Sequence, residues 1–188
     1  MKYLLVVLSS FLLCSGTALA AGADSWAGPH VGIRVGANHS ELDNAGAANA
    51  LTLGVEFGWN IVINHRFVAD PQIFYEWNQD KNRQACYTGR RCTSTRLGSR
   101  VYGLGLILGW PVGANRNLMP YIRFDGSRLQ MSGDADGSGW VSWGLGAGLE
   151  WRVSRHTGLV FQYSYAKYGG GVDDWKNSSF TVGFNFHF

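Results

Sequence analysis

Residue types able to do chemistry are thinly spread along this 188-residue chain. Ser164 lies two residues after Gln162, in the run Gln162-Tyr163-Ser164-Tyr165. A serine nucleophile needs a base within hydrogen-bond reach, and a glutamine amide takes up no proton at neutral pH. The five histidines are His30, His39, His65, His156 and His187. No two of them have a ligand spacing such as i, i+2 on one strand face. They are scattered over turns, a loop and strand ends, and His65, His156 and His187 read as solvated polar residues near the short-turn rim. Asp134, Asp136 and Gly137 sketch the start of a calcium loop, but the closing glutamate of that pattern is absent. No catalytic, cofactor-binding or metal-binding residue is therefore expected.

Two other groupings carry more. Cys86 and Cys92 bracket a short polar stretch with turn chemistry, Cys86-Tyr-Thr-Gly-Arg-Arg-Cys92. In an oxidising compartment such a pair forms one disulfide closing a small loop. Around it lie Arg83, Arg90, Arg91, Arg96 and Arg100. Their guanidinium forks suit bidentate contact with phosphate or other anions.

What must position these residues follows from composition and alternation. Glycine supplies 26 residues, aromatic residues make up 14% and charged residues only 15%. Disordered chains have few aromatics and high net charge, and coiled coils are rich in Ala, Glu, Lys and Leu, so both classes are excluded. Beyond the N-terminus no apolar run approaches the ~18 residues of a membrane helix. Residues 1–20 have the form of a cleaved signal peptide: Lys2, an apolar run over 3–14, and the small-residue site Ala18-Leu19-Ala20. Removing those twenty from 188 leaves 168 residues. Losing Lys2 from the 16 basic residues leaves 15 against 13 acidic ones. So small and dispersed a charge points to no nucleic-acid partner.

The remaining span, 21–188, reads as one domain of eight strands. Period-2 alternation dominates over 29–38, 51–61, 67–77, 99–110, 120–130, 140–153, 157–168 and 179–188. Connections over 62–66, 111–119 and 154–156 are short. Those over 39–50, 78–98, 131–139 and 169–178 are polar and mostly longer. Short turns at one end and long loops at the other define a transmembrane β-barrel pattern. One face carries Val, Leu, Phe, Tyr and Trp, with Trp59, Trp77, Trp110, Trp143, Trp151, Tyr75 and Tyr102 mostly near strand ends. The other carries glycine with Arg34, Glu56, Asp70, Glu76, Arg123, Asp125, Glu150 and Arg152. Glycine weakens a solvent-facing strand but fits the narrow interior of an eight-stranded barrel, so the aromatic face is expected to meet lipid. The inward charges must then pair. A salt-bridge network is expected, with Arg34, Glu56, Arg123, Asp125 and Glu150 near mid-height, plugging the lumen rather than gating an ion path.

The chain closes on Phe180-Thr-Val-Gly-Phe-Asn-Phe-His-Phe188 and the domain opens near Trp26-Ala-Gly-Pro-His-Val-Gly32. With Met119-Pro-Tyr-Ile-Arg123, Gly144-Leu-Gly-Ala-Gly148 and Phe161-Gln-Tyr-Ser-Tyr165, these runs resemble the small eight-stranded Gram-negative outer-membrane β-barrel proteins of the opacity-protein class. His30 stands where that class commonly has Tyr. The resemblance implies export to the bacterial outer membrane and an all-β, antiparallel, up-and-down barrel, expected to be a monomer. It implies that Phe184, Phe186 and Phe188 form the assembly signal read by the barrel-insertion machinery. It implies partners among outer-membrane lipid, lipopolysaccharide and host surface ligands, reached through long loops. Lipopolysaccharide phosphate or an acidic host glycan is the expected contact of the arginine-rich loop. The expected role is non-enzymatic: surface integrity, adhesion or ligand contact. A small, poorly conducting pore is the alternative, and a lipid A-modifying enzyme the third. The lipid A deacylase family has His-x-Ser-Asn where this chain has Gln162-Tyr163-Ser164-Tyr165.

Overall fold

The computed structural model describes residues 23–42, 46–64, 66–87, 91–113, 115–133, 139–169 and 175–188. The signal-peptide assignment over 1–20 lies outside them, as do His65, Asp134, Asp136 and Gly137. Eight strands follow a short 3-10 turn, Ala23–Trp26: β1 (Gly28–Leu42), β2 (Gly46–Ile63), β3 (Phe67–Tyr87), β4 (Arg91–Gly109), β5 (Leu118–Gly133), β6 (Gly139–Arg152), β7 (Thr157–Gly169) and β8 (Trp175–His187). Each pairs antiparallel with its neighbours, and β1 pairs with β8, so the sheet is a closed barrel. Closure leaves no sheet edge, a condition for crossing lipid with strands.

The alternation fixes which face is which. Ile33, Val55, Leu104 and Phe184 are 52–68% exposed on the outer surface. Arg34, Glu56 and Arg123, of opposite parity, are buried inside. Trp59, Trp110 and Trp151 ring the short-turn end of the apolar band. Tyr75, Tyr102 and Trp143 lie toward the other end, all of them exposed. The interior is not wholly polar: Phe74, Val101, Ile107, Leu129 and Val160 are buried as well.

Two glycines show why the inner face is so poor in side chains. A Cβ on Gly144 would sit 2.5 Å from Asp125 Oδ1, and one on Gly32 would sit 2.7 Å from Glu56 Cγ. Charged side chains from the adjacent strand lie across these positions.

The strands run further at the long-loop end than alternation suggests. β3 and β4 stay in register from Val68↔Gly109 up to Tyr87↔Arg91, with one irregularity between Asn78 and Lys81. Most of the connection expected over 78–98 is thus a hairpin. β1 and β2 likewise pair up to Leu42↔Gly46. Backbone ladders continue here without an apolar face to reveal them, so periodicity is silent.

Candidate functional site

Three levels of polar side chains fill the lumen. At mid-height Arg34 donates to the Glu56 carboxylate and to the Gln162 side-chain oxygen. Arg123 Nη1 lies 3.8 Å from the second Glu56 oxygen, and its Nε lies 3.6 Å from Asp125 Oδ2. The Arg123 guanidinium also lies 4.3 Å from the centre of the Phe74 ring. Tyr121 donates its hydroxyl to Gln162 Oε1 at 3.0 Å. These partners come from β1, β2, β3, β5 and β7, so one cluster ties strands from opposite sides of the barrel.

Toward the short turns lies a second cluster. His187 Nε2 is 2.6 Å from Glu150 Oε1, and Asn185 donates to Glu150 Oε2 at 2.8 Å. His30 stacks at a tilt on His187, with ring centres 5.2 Å apart, and its Nε2 is 3.6 Å from Asp70 Oδ2. Trp26 closes this end. It is fully buried, packs on Val68 and Met119, and donates its indole N–H to the Arg116 carbonyl at 2.8 Å. Arg152 donates to the Ser25 carbonyl and lays its guanidinium 4.3 Å from the Trp26 ring centre.

Toward the long loops the polar groups are neutral. Asn38 and Thr52 donate to Asn78 Oδ1 at 3.1 and 2.5 Å, and Asn78 donates to Ser99 Oγ at 2.9 Å. Between this level and the Arg123 level a cavity of about 20 Å³ is lined by Glu76, Asp125, Ser127, Ser164 and Tyr168, among others. That is space for one water molecule or little more.

The expected inward charges thus divide. Arg34, Glu56, Arg123 and Asp125 meet at mid-height, and Glu76 faces the cavity above them. Glu150 differs from its expected place: it lies lower, bonded to His187 rather than to an arginine. Asp70 is beside His30, and Arg152 turns to the N-terminal segment. His187 is corrected from solvated to buried, at 4% exposure, and His30 is buried beside it at 1%. Strand parity carried that signal, since His187 alternates with the outward Phe186 and Phe188.

Ser164 accepts a hydrogen bond from Gln162 Nε2 at 3.2 Å and shares another with Ser179. Among the described residues no group of three or more His, Cys, Asp or Glu could hold a metal ion. Phe184, Phe186 and Phe188 point outward and are 49–67% exposed, Phe186 and Phe188 meeting edge to face at 5.1 Å. Arg100 is exposed on β4. Arg83 and Arg96 lie on the outer β3–β4 ladder, opposite Thr95 and Asn82, and Arg91 starts β4 opposite Tyr87. Cys86 and Cys92 are Cα partners across the same ladder. Arg90 lies outside the described residues.

A closed eight-stranded barrel with an apolar, aromatic-girdled exterior and a charged, filled interior defines an outer-membrane barrel of the bacterial type. The chain belongs to the family described as outer membrane protein beta-barrel domain, whose model matches residues 6–188. Among solved structures it is similar to Neisserial surface protein A, with TM-score 0.59 and 15% identity over 84% of this chain and 97% of that one. It is also similar to the attachment invasion locus protein of Yersinia pestis, solved with the heparin analogue sucrose octasulfate (TM-score 0.54, 13% identity, 86% and 99% covered). The outer membrane protein OprG from Pseudomonas aeruginosa is similar at TM-score 0.54 and 15% identity, with 86% and 96% covered. These likenesses establish the fold and, with the family, the bacterial outer membrane as its setting. No curated protein sequence matches significantly.

Proposed function

We propose that the protein is a non-enzymatic outer-membrane surface protein whose β3–β4 hairpin contacts acidic glycans. The observation that carries this reading is the length of that hairpin. Its ladder continues from Trp77 to Tyr87, roughly 30 Å of strand beyond the outward aromatic positions. Arg83, Arg91 and Arg96 belong to this extension, and Arg100 to its base. A stiff hairpin holds guanidinium groups at lower entropic cost than a free loop, and arginine suits sulfate and phosphate groups. The heparin analogue bound to the Yersinia relative supports polyanion contact as a use of this fold. We read Cys86 and Cys92 as a disulfide that fixes the tip.

Two features support the rest of the reading. The Gln162 side-chain oxygen already accepts from Arg34 and Tyr121, while its amide donates to Ser164, so Gln162 offers Ser164 no proton acceptor. The filled lumen supports a plug over a conducting pore.

The test is binding of the purified, detergent-solubilised protein to immobilised heparin and to lipopolysaccharide core saccharide, with salt varied. Affinity should fall steeply with salt. The combined variant Arg83→Ala, Arg91→Ala and Arg96→Ala should bind at least tenfold more weakly. Equal binding by that variant refutes the glycan assignment. Two alkylatable thiols in the exported protein refute the disulfide. A change in lipid A mass on deleting the gene refutes the non-enzymatic role.

A further inference from the structure

The outward face of β7, β8 and β1 at the long-loop end carries a second cluster, used by neither the lumen nor the β3–β4 hairpin. Register sets it in three rows. Tyr163, Phe180 and Ala37 form the lowest, Tyr165, Ser178, His39 and Asn49 (on β2) the next, and Lys167, Lys176 and Glu41 the highest. The exterior changes from apolar to polar across these rows. Ala37 and Ser178 are the small members. They floor an open groove of about 190 Å³, bounded by Tyr163 and Phe180 below and by His39 and Asn49 above. His39 is pinned there, its Nδ1 2.6 Å from Asn49 Oδ1 and its Nε2 3.2 Å from Glu41 Oε1.

Charge sorts the same way. Among the described side chains facing outward at this end, Arg100, Arg128, Lys167 and Lys176 are cationic and only Glu41 is anionic. Lys167 and Lys176 are direct partners across β7 and β8, and Glu41 is opposite Lys176 on β1, so the row carries one more cation than anion. Like charges opposite each other cost stability, and an anion bridging them offsets that cost. Both lysines also interact with other groups of the chain. Each ammonium has three donors, so a phosphate adds to those contacts rather than replacing them.

We propose that this face holds one phosphorylated, multiply acylated glycolipid of the outer leaflet. Its phosphate lies on Lys167 and Lys176, its sugar against His39 and Asn49, and one acyl chain along the groove over Ala37 and Ser178. The chemistry favours this occupant over a protein partner. The groove lies at the edge of the apolar outer band, and the two lysines stand on its polar side, so one acylated, phosphorylated molecule fits both. It uses none of the arginines assigned to glycan contact, so either assignment can fail alone.

The test titrates the full-length mature protein in detergent with lipid A, phosphatidylglycerol and inorganic phosphate, read by native mass spectrometry. One lipid A should remain bound per barrel, more tightly than either other probe. Lys167→Gln with Lys176→Gln should weaken it about tenfold or more. Ser178→Phe, which fills the groove and leaves both lysines, should weaken it as well. Both variants alter only the outer surface, and heat-dependent gel mobility confirms that the barrel is intact. Unchanged lipid A binding in either variant overturns the proposal. So does binding of phosphatidylglycerol or inorganic phosphate as tight as that of lipid A.

Discussion

Replacing Trp26 by alanine should destabilise the barrel far more than a change in an N-terminal segment ordinarily does. The indole is fully buried against Val68 and Met119. Removing a buried Trp side chain costs about 3–5 kcal/mol in packing and cavity terms. The lost N–H···O bond to Arg116 adds about 0.5–1.5 kcal/mol, and the guanidinium of Arg152 loses the ring it covers. These contributions overlap, so the expected total is about 4 kcal/mol. The measurement is reversible urea unfolding in lipid vesicles, followed by tryptophan fluorescence and by gel mobility without boiling. Trp26→Phe keeps most of the packing and loses the hydrogen bond, so its expected cost is about 1–2 kcal/mol. A Trp26→Ala cost below about 1 kcal/mol, typical of surface positions, would refute the view that this segment seals the short-turn end.

Arg34→Met should cost about 3–5 kcal/mol, because it leaves the buried Glu56 carboxylate only the longer 3.8 Å contact to Arg123. Adding Glu56→Gln should recover more than half of that, and a double-mutant cycle without recovery argues against the pair. Gly144→Val forces a methyl group into the Asp125 carboxylate, and the expected cost is about 1–3 kcal/mol in the same unfolding assay. Phe188 is 67% exposed to lipid. Phe188→Ser should change the stability of refolded protein by less than about 1 kcal/mol while lowering its amount in isolated outer membranes several-fold. A similar loss in both assays would show a packing role in place of an assembly signal.

Strand parity made the barrel and its two faces legible, because lipid and lumen demand opposite residues at successive positions. The same parity put Arg34, Glu56, Arg123 and Asp125 on one face, and their place along the strands put these four near mid-height, but not every height was legible. Height depends on the stagger between strands, which alternation within a strand does not encode. Glu150 shows the difference: its strand partner geometry brings it to His187, a residue far away in sequence and read as solvated. Trp26 was visible only as part of an opening motif, since a single turn outside the strands has no period. The hairpin beyond Trp77 was hidden for another reason. Its residues are polar on both faces, and only backbone pairing records the strand.

Closure of the sheet has a kinetic consequence. The pairs His30↔His187 and Arg34↔Gly183 join the first and last strands, so the final ladder forms across nearly the whole domain. Every intermediate short of it exposes two rows of unpaired amides and carbonyls, each costing several kcal/mol in hydrocarbon. Such intermediates cannot accumulate inside a bilayer. Insertion and closure must therefore be one concerted event, with β8 present before β1 commits to lipid. A chain truncated before β8 is expected to be absent from isolated outer membranes, whatever the quality of its other seven strands, as fractionation would show.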